Sequence, residues 1–137
     1  MNVGVLALQG DFAEHISMLQ GMGQKSCEVR RPSHLDGIDG LIIPGGESTT
    51  ISRLMGIYQF REPINKMAAS GVLIWGTCAG MIMMARELTE DQPTPLGLLD
   101  IQVTRNAFGR QVDSFEADLV VKPFYGGVFR AVFIRAP

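Results

Sequence analysis

The side chain best placed to do covalent chemistry in this chain is Cys78, within the segment "VLIWGTCAGMIMMA" from Val72 to Ala85. Gly76-Thr77-Cys78-Ala79-Gly80 has the glycine-x-nucleophile-x-glycine form of a strand-turn-helix elbow, in which flanking glycines let strand and helix approach closely around a strained nucleophile. The positive end of a helix favours a thiolate, and the backbone N–H of Ala79 would be placed to stabilise an oxyanion. Free cysteines are more often small buried hydrophobes. That reading suits Cys27, which has no glycine beside it; for Cys78 the glycine spacing favours the nucleophile. A second constellation is "IIPGGESTT", a strand ending in Pro44-Gly45-Gly46 and then a helix start with Ser48, Thr49 and Thr50 as candidate caps. By itself it reads as a tight, well-capped turn. Gln9 in "LALQGD" sits just past the first strand. Arg105 and Arg110 lie in the polar stretch "TRNAFGRQVDSFEADL", where an arginine suits a bidentate hold on a substrate carboxylate.

The elements that must position these residues alternate. "NVGVLAL" reads as a buried strand, and "DFAEHISMLQGMG" as a helix with Asp11 at its cap and Phe12, Ile16 and Leu19 on one face. "CEVRR" and "DGLIIPGG" are further strand candidates. "STTISRLMGIYQFREPINKMAASG" carries helical material interrupted at Gly56 and Pro63, and "VLIWG" is a strand leading into a helix over "AGMIMMAREL". Met81, Met83 and Met84 supply the buried face of that helix. Near-continuous apolar strands with helices between them predict a doubly wound α/β domain whose mostly parallel sheet is covered on both faces. In such a sheet the strand C-terminal ends share one edge, so the glycine loop, Gln9 and the Cys78 elbow would face one crevice. After the polar loop "TEDQPTPLG", the segments "LLDIQVT", "ADLVV" and "AVFIRAP" alternate as β-structure.

The whole chain, 137 residues with 12 basic and 14 acidic side chains, reads as a single domain over residues 1–137. The net charge of −2 gives no footprint for nucleic acid or an anionic membrane, and no apolar run approaches the ~20 residues needed to span a bilayer. Two cysteines and a start without a basic leader predict a cytoplasmic protein with free thiols. No cofactor and no metal site is expected.

Taken together, "LALQGDFAEH", "LIIPGGESTT", "GTCAGMI", "RNAFGRQVDSFEADL" and "VFIRAP", in this order and spacing, resemble the glutaminase subunits of pyridoxal 5′-phosphate synthase, a family of triad-type (class I) glutamine amidotransferases. The resemblance covers nearly the whole chain. It implies a flavodoxin-like three-layer sandwich of the class I amidotransferase type that hydrolyses L-glutamine to L-glutamate and ammonia. The ammonia would pass through a channel to a barrel-shaped synthase subunit that builds the vitamin B6 ring, in a hetero-oligomeric complex. Carried over by motif, Cys78 is the nucleophile and forms a thioester, and Gly46 and Ala79 are the oxyanion donors. Gly46, Glu47, Ser48, Arg105, Ile134 and Arg135 contact glutamine, and Gln9 lies in a loop near the partner interface that helps order the site.

One element of the family pattern is missing. The leaving ammonia must be protonated and a water activated, work for a histidine, which the family carries with a glutamate in a His-Pro-Glu motif downstream of the cysteine. The histidines here are His15 and His34, both upstream. His15 reads as a helix-surface or interface residue, His34 as a loop residue. Because "VFIRAP" is where the family continues with strands and a final helix, the expectation is an incomplete C-terminus, with the closing elements missing and the chain inactive alone. Two alternatives are a catalytically silent binding subunit of the synthase complex and a related cysteine hydrolase of the same superfamily, against which "GGESTT" and "GRQVDSFEADL" speak.

Overall fold

A computed structural model of the chain describes residues 1–107, 115–120 and 127–133. They form two compact units, Met1–Val103 and Thr104–Pro137.

The first unit is built on four parallel strands, β1 (Asn2–Leu6), β2 (Lys25–Val29), β3 (Gly40–Ile43) and β4 (Leu73–Gly76), in the order β2-β1-β3-β4. Side chains alternate across a strand, and here each face has its own core. Val3, Val5 and Ile42 meet Leu19, Phe12 and Ile16 of α1 (Phe12–Gly21) on one face. Leu6, Leu41 and Ile43 meet the opposite layer, made by α2 (Ser48–Ile57), α3 (Arg61–Ala69) and α4 (Ala79–Met84), with Ile51, Met55, Ile64 and Met83 fully buried. The expected three-layer α/β arrangement with a parallel sheet is therefore present. Cys27 is half-buried and packs against the second of these cores, as a small hydrophobe should.

Four local details differ from the sequence reading. The helical run after residue 48 does not break at Gly56. It breaks at Tyr58–Phe60, where Gln59 takes φ 58° and the Phe60 N–H donates to the Met55 carbonyl at 2.9 Å, driving Phe60 into the core. Pro63 does not interrupt α3: it sits in the first turn, where its missing N–H has no intrahelical partner to lose. The helix over "AGMIMMAREL" stops at Met84, and Ala85–Leu88 is a strand, β5, paired in parallel with β6 (Leu99–Val103). The N–H groups of Leu96 and Leu98 donate to the Met83 and Met84 carbonyls at 2.7 and 2.9 Å, so the last helical acceptors are satisfied by a returning loop rather than another turn. His34 lies in a 3₁₀ turn, Pro32–Leu35, rather than in a loop.

In the second unit β7 (Phe115–Val120) and β8 (Val128–Phe133) form an antiparallel pair. Phe115 stacks on Phe133 with centroids 4.7 Å apart, and Arg130 Nε donates to Glu116 Oε2 at 2.7 Å. Among the described residues no helix is long and apolar enough to cross a membrane, and no group of three or more His, Cys, Asp or Glu is placed to hold a metal ion.

Candidate active site

The parallel register of β3 and β4 pairs Ile43 with Gly76, which levels the two strand ends on one edge. From that edge β4 runs through Thr77 and Cys78 directly into α4. The two glycines of the elbow are there because backbone meets backbone. A Cβ on Gly76 would lie 2.5 Å from the Gly80 carbonyl carbon and oxygen, and one on Gly80 would lie 1.9 Å from the Ile43 oxygen. Only residues without a side chain permit that approach. Cys78 itself is at φ 50°, ψ −113°, a conformation a non-glycine residue keeps only when its surroundings impose it, and its thiol is exposed at the crevice. Ala79, the first residue of α4, is buried behind it.

The glycine loop after β3 lies against this elbow. A Cβ on Gly45 would sit 3.4 Å from Cys78 Cβ, so the two constellations meet as their strand positions require. Gly46 has φ 150°, and a Cβ there would fall 2.6 Å from Gln9 Oε1. Gln9, from the loop after β1, accepts a hydrogen bond on that Oε1 from the Glu47 N–H at 2.8 Å. The same loop holds the next residue back: the Asp11 N–H donates to the Gly45 carbonyl at 3.1 Å. The loops after three strand ends thus meet at one edge of the sheet, as the topology predicts.

The capping differs from the sequence reading. Asp11 occupies the N-cap of α1, but its carboxylate makes no cap hydrogen bond. At α2 the cap is Glu47 rather than Ser48, Thr49 or Thr50: its carboxylate accepts from the Thr49 and Thr50 N–H groups at 3.0 and 2.7 Å and from the Thr50 hydroxyl at 2.8 Å. Burial is the largest single influence and raises the Glu47 pKa, but the hydrogen bonds from Thr49 and Thr50 together outweigh it and hold the carboxyl at about 2. Ser48 is buried.

Gln9, Gly46, Glu47, Ser48, Cys78 and Ala79 thus belong to one locality. Arg105, half-buried, belongs to the second unit, and Ile134 and Arg135 lie outside the described residues. A contact the sequence reading missed joins His15 to the elbow, its Nε2 lying 3.1 Å from Thr77 Oγ1. No local signal marks it, because the two residues are 62 apart in sequence. His34 is elsewhere, hydrogen-bonded to the Arg31 guanidinium at 2.7 Å beside β2.

An exposed thiol in a strained elbow, faced by a glycine loop at a neighbouring strand end, is an arrangement suited to attack on an acyl carbon with the oxyanion held by main-chain donors. The chain is 58% identical, over its full length and 71% of the relative's, to pyridoxal 5′-phosphate synthase subunit PdxT of Dehalococcoides mccartyi. It is 52% identical, over its full length and 69% of the relative's, to the protein of the same name in Bacillus velezensis. A crystal structure of a glutamine amidotransferase superposes with a TM-score of 0.88 at 51% identity, covering 98% of this chain and 71% of that one. A peptidase E protein from Listeria monocytogenes, at 14% identity and a TM-score of 0.62 over 72% of this chain and 63% of its own, shares the fold. The model of the SNO glutamine amidotransferase family matches residues 5–137, and with the elbow and its facing loop in place the chain belongs to that family.

Proposed function

We propose that Cys78 is the nucleophile of a glutaminase whose ammonia serves a pyridoxal 5′-phosphate synthase. The observation that carries this reading is the strained Cys78 held between Gly76 and Gly80 against the Gly45-Gly46 loop. The thiolate attacks the carboxamide carbon of L-glutamine, forming a C–S bond and a tetrahedral oxyanion. The main-chain N–H groups of Gly46 and Ala79 take that negative charge. Collapse breaks the C–N bond and releases ammonia, leaving a glutamyl thioester on Cys78. Water then attacks the thioester, releasing L-glutamate and restoring the thiol. Gln9, through its hydrogen bond to Glu47, fixes the peptide that follows Gly46. The family resemblance further assigns glutamine contacts to Glu47, Ser48, Arg105, Ile134 and Arg135, and these rest on the resemblance alone.

The relatives are named as subunits of pyridoxal 5′-phosphate synthase, which supports a synthase partner; that this partner receives the ammonia in a hetero-oligomer, in the cytoplasm, is part of the proposal. The family match extends through both compact units, which supports one amidotransferase domain over residues 1–137. Proton delivery to the departing ammonia needs an acid near the thioester. His34 is tied to Arg31 beside β2 and His15 to Thr77, so we assign neither as that acid and expect the 137-residue chain alone to turn over glutamine poorly.

The test is to incubate the chain with a diazoketone analogue of glutamine and map the adduct by mass spectrometry, while measuring glutamate release in parallel. Labelling confined to Cys78 and blocked by glutamine is expected. Labelling that glutamine leaves unchanged would overturn the substrate, and sustained turnover abolished by Cys78→Ala would overturn the claim that the acid is missing.

A further inference from the structure

His15 has no step in the chemistry above, yet it is built into the elbow. It stands on α1, half-buried, with Nε2 3.1 Å from Thr77 Oγ1 and its ring edge-on to Trp75 of β4, centroids 6.2 Å apart at 74°. Thr77 is the residue between Gly76 and Cys78, and its main chain is held twice over. Its N–H donates to the Ile43 carbonyl at 3.1 Å, and its carbonyl accepts from the Gly80 N–H at 2.8 Å. These two bonds bind the turn to β3 and to α4, the elements on either side of it. The His15 contact is a third tether, from the helix on the other face of the sheet. A residue at φ 50°, ψ −113° keeps that conformation only while its neighbours leave no alternative, and the peptide joining Thr77 to Cys78 is the neighbour that matters most.

We infer that His15 is a positioning residue: through the Thr77 hydroxyl it locks the 77–78 peptide and so sets how Cys78 Sγ is presented to the crevice. The inference rests on the reading of Cys78 as nucleophile. Either tautomer serves, since the hydroxyl can accept from Nε2–H or donate to a bare Nε2. Trp75 packs edge-on against the ring that reaches Thr77.

The test is the second-order rate of alkylation of Cys78 by iodoacetamide at fixed pH in the full 137-residue chain, read on the Cys78 peptide by mass spectrometry, with N-acetylcysteine amide as the free-thiol standard. Thr77→Val removes the hydroxyl at constant shape. His15→Phe keeps a ring against Trp75 without the hydrogen bond. Each is expected to slow alkylation about three- to tenfold, the range one lost hydrogen bond gives. The double variant should be no slower than either single one, and His15→Gln, whose amide can reach Thr77, should recover most of the rate. Unchanged rates in both single variants, or effects that multiply in the double, would overturn the inference while leaving Cys78 as nucleophile. A wild-type rate no faster than the free thiol would overturn the nucleophile reading and this one with it. Because Thr77→Val removes only the hydroxyl, it decides the matter if His15→Phe does not fold.

Discussion

Glu47 shows how a single side chain beside the glycine loop is first of all a structural part. Its carboxylate holds the first N–H groups of α2 and the Thr50 hydroxyl. Its pKa is about 2 in the folded chain against 4.5 for a free glutamate. Protonation therefore favours the unfolded chain: the cap's contribution is fully present above about pH 4.5 and is lost as the pH falls through about 2. Solvent screening keeps the effect small because the carboxyl is largely exposed. A carbon-detected NMR titration of the Glu47 carboxyl should find its midpoint near 2, and Glu47→Gln should remove this part of the acid dependence. A midpoint near 4.5 would mean the cap is not formed in solution. At this scale the cysteine and its glycines were legible because close backbone approach leaves a mark in residue type. The bond between His15 and Thr77 was not, since residues 62 apart in sequence meet only when α1 has been laid across the sheet.

The elbow is a property of two elements and the distance between them. A methyl on Gly80 would drive into the Ile43 carbonyl oxygen, a main-chain atom that cannot turn away. Gly80→Ala should cost about 3 kcal/mol or more in chemical denaturation, at the upper end of ordinary single substitutions. Gly21, the last residue of α1, has nothing within 4 Å of its missing Cβ, and Gly21→Ala should be neutral or stabilise by up to about 1 kcal/mol. Equal losses at the two positions would contradict the close approach of α4 and β3. Strands β1 and β3 were legible because buried parallel strands are apolar throughout. The end of α4 was not: "AREL" is good helical sequence, and pairing with β6, ten residues further on, overrode that propensity.

Over the whole molecule the sheet carries a core on each face, but the outer strand β4 is open. Leu73 is 75% and Trp75 61% exposed, and among the described residues no strand pairs with the outer edge of β4. An apolar, unpaired edge recruits further strands. Sedimentation velocity on the 137-residue chain should show association that grows with concentration, and Leu73→Lys, placing a charge on that edge, should reduce it. A monomer at all concentrations would show that the edge is protected in solution.

The division between what could be read and what had to be seen follows from the range of the interactions. The amino-acid sequence by itself determined the alternation of strands and helices, the placing of Cys78 between one strand and one helix, and the glycines on which two close approaches depend. These follow from hydrophobic period and from steric limits that act within a few residues. Only the tertiary structure decided that Gln9 accepts from the Glu47 N–H and that His15 reaches Thr77. Each depends on which side chain arrives first at a given donor or hydroxyl. The parallel register of β1, β3 and β4 settles that arrival for Gln9 and His15, whereas the Glu47 cap spans only residues 47–50 and follows from the extended backbone at Glu47.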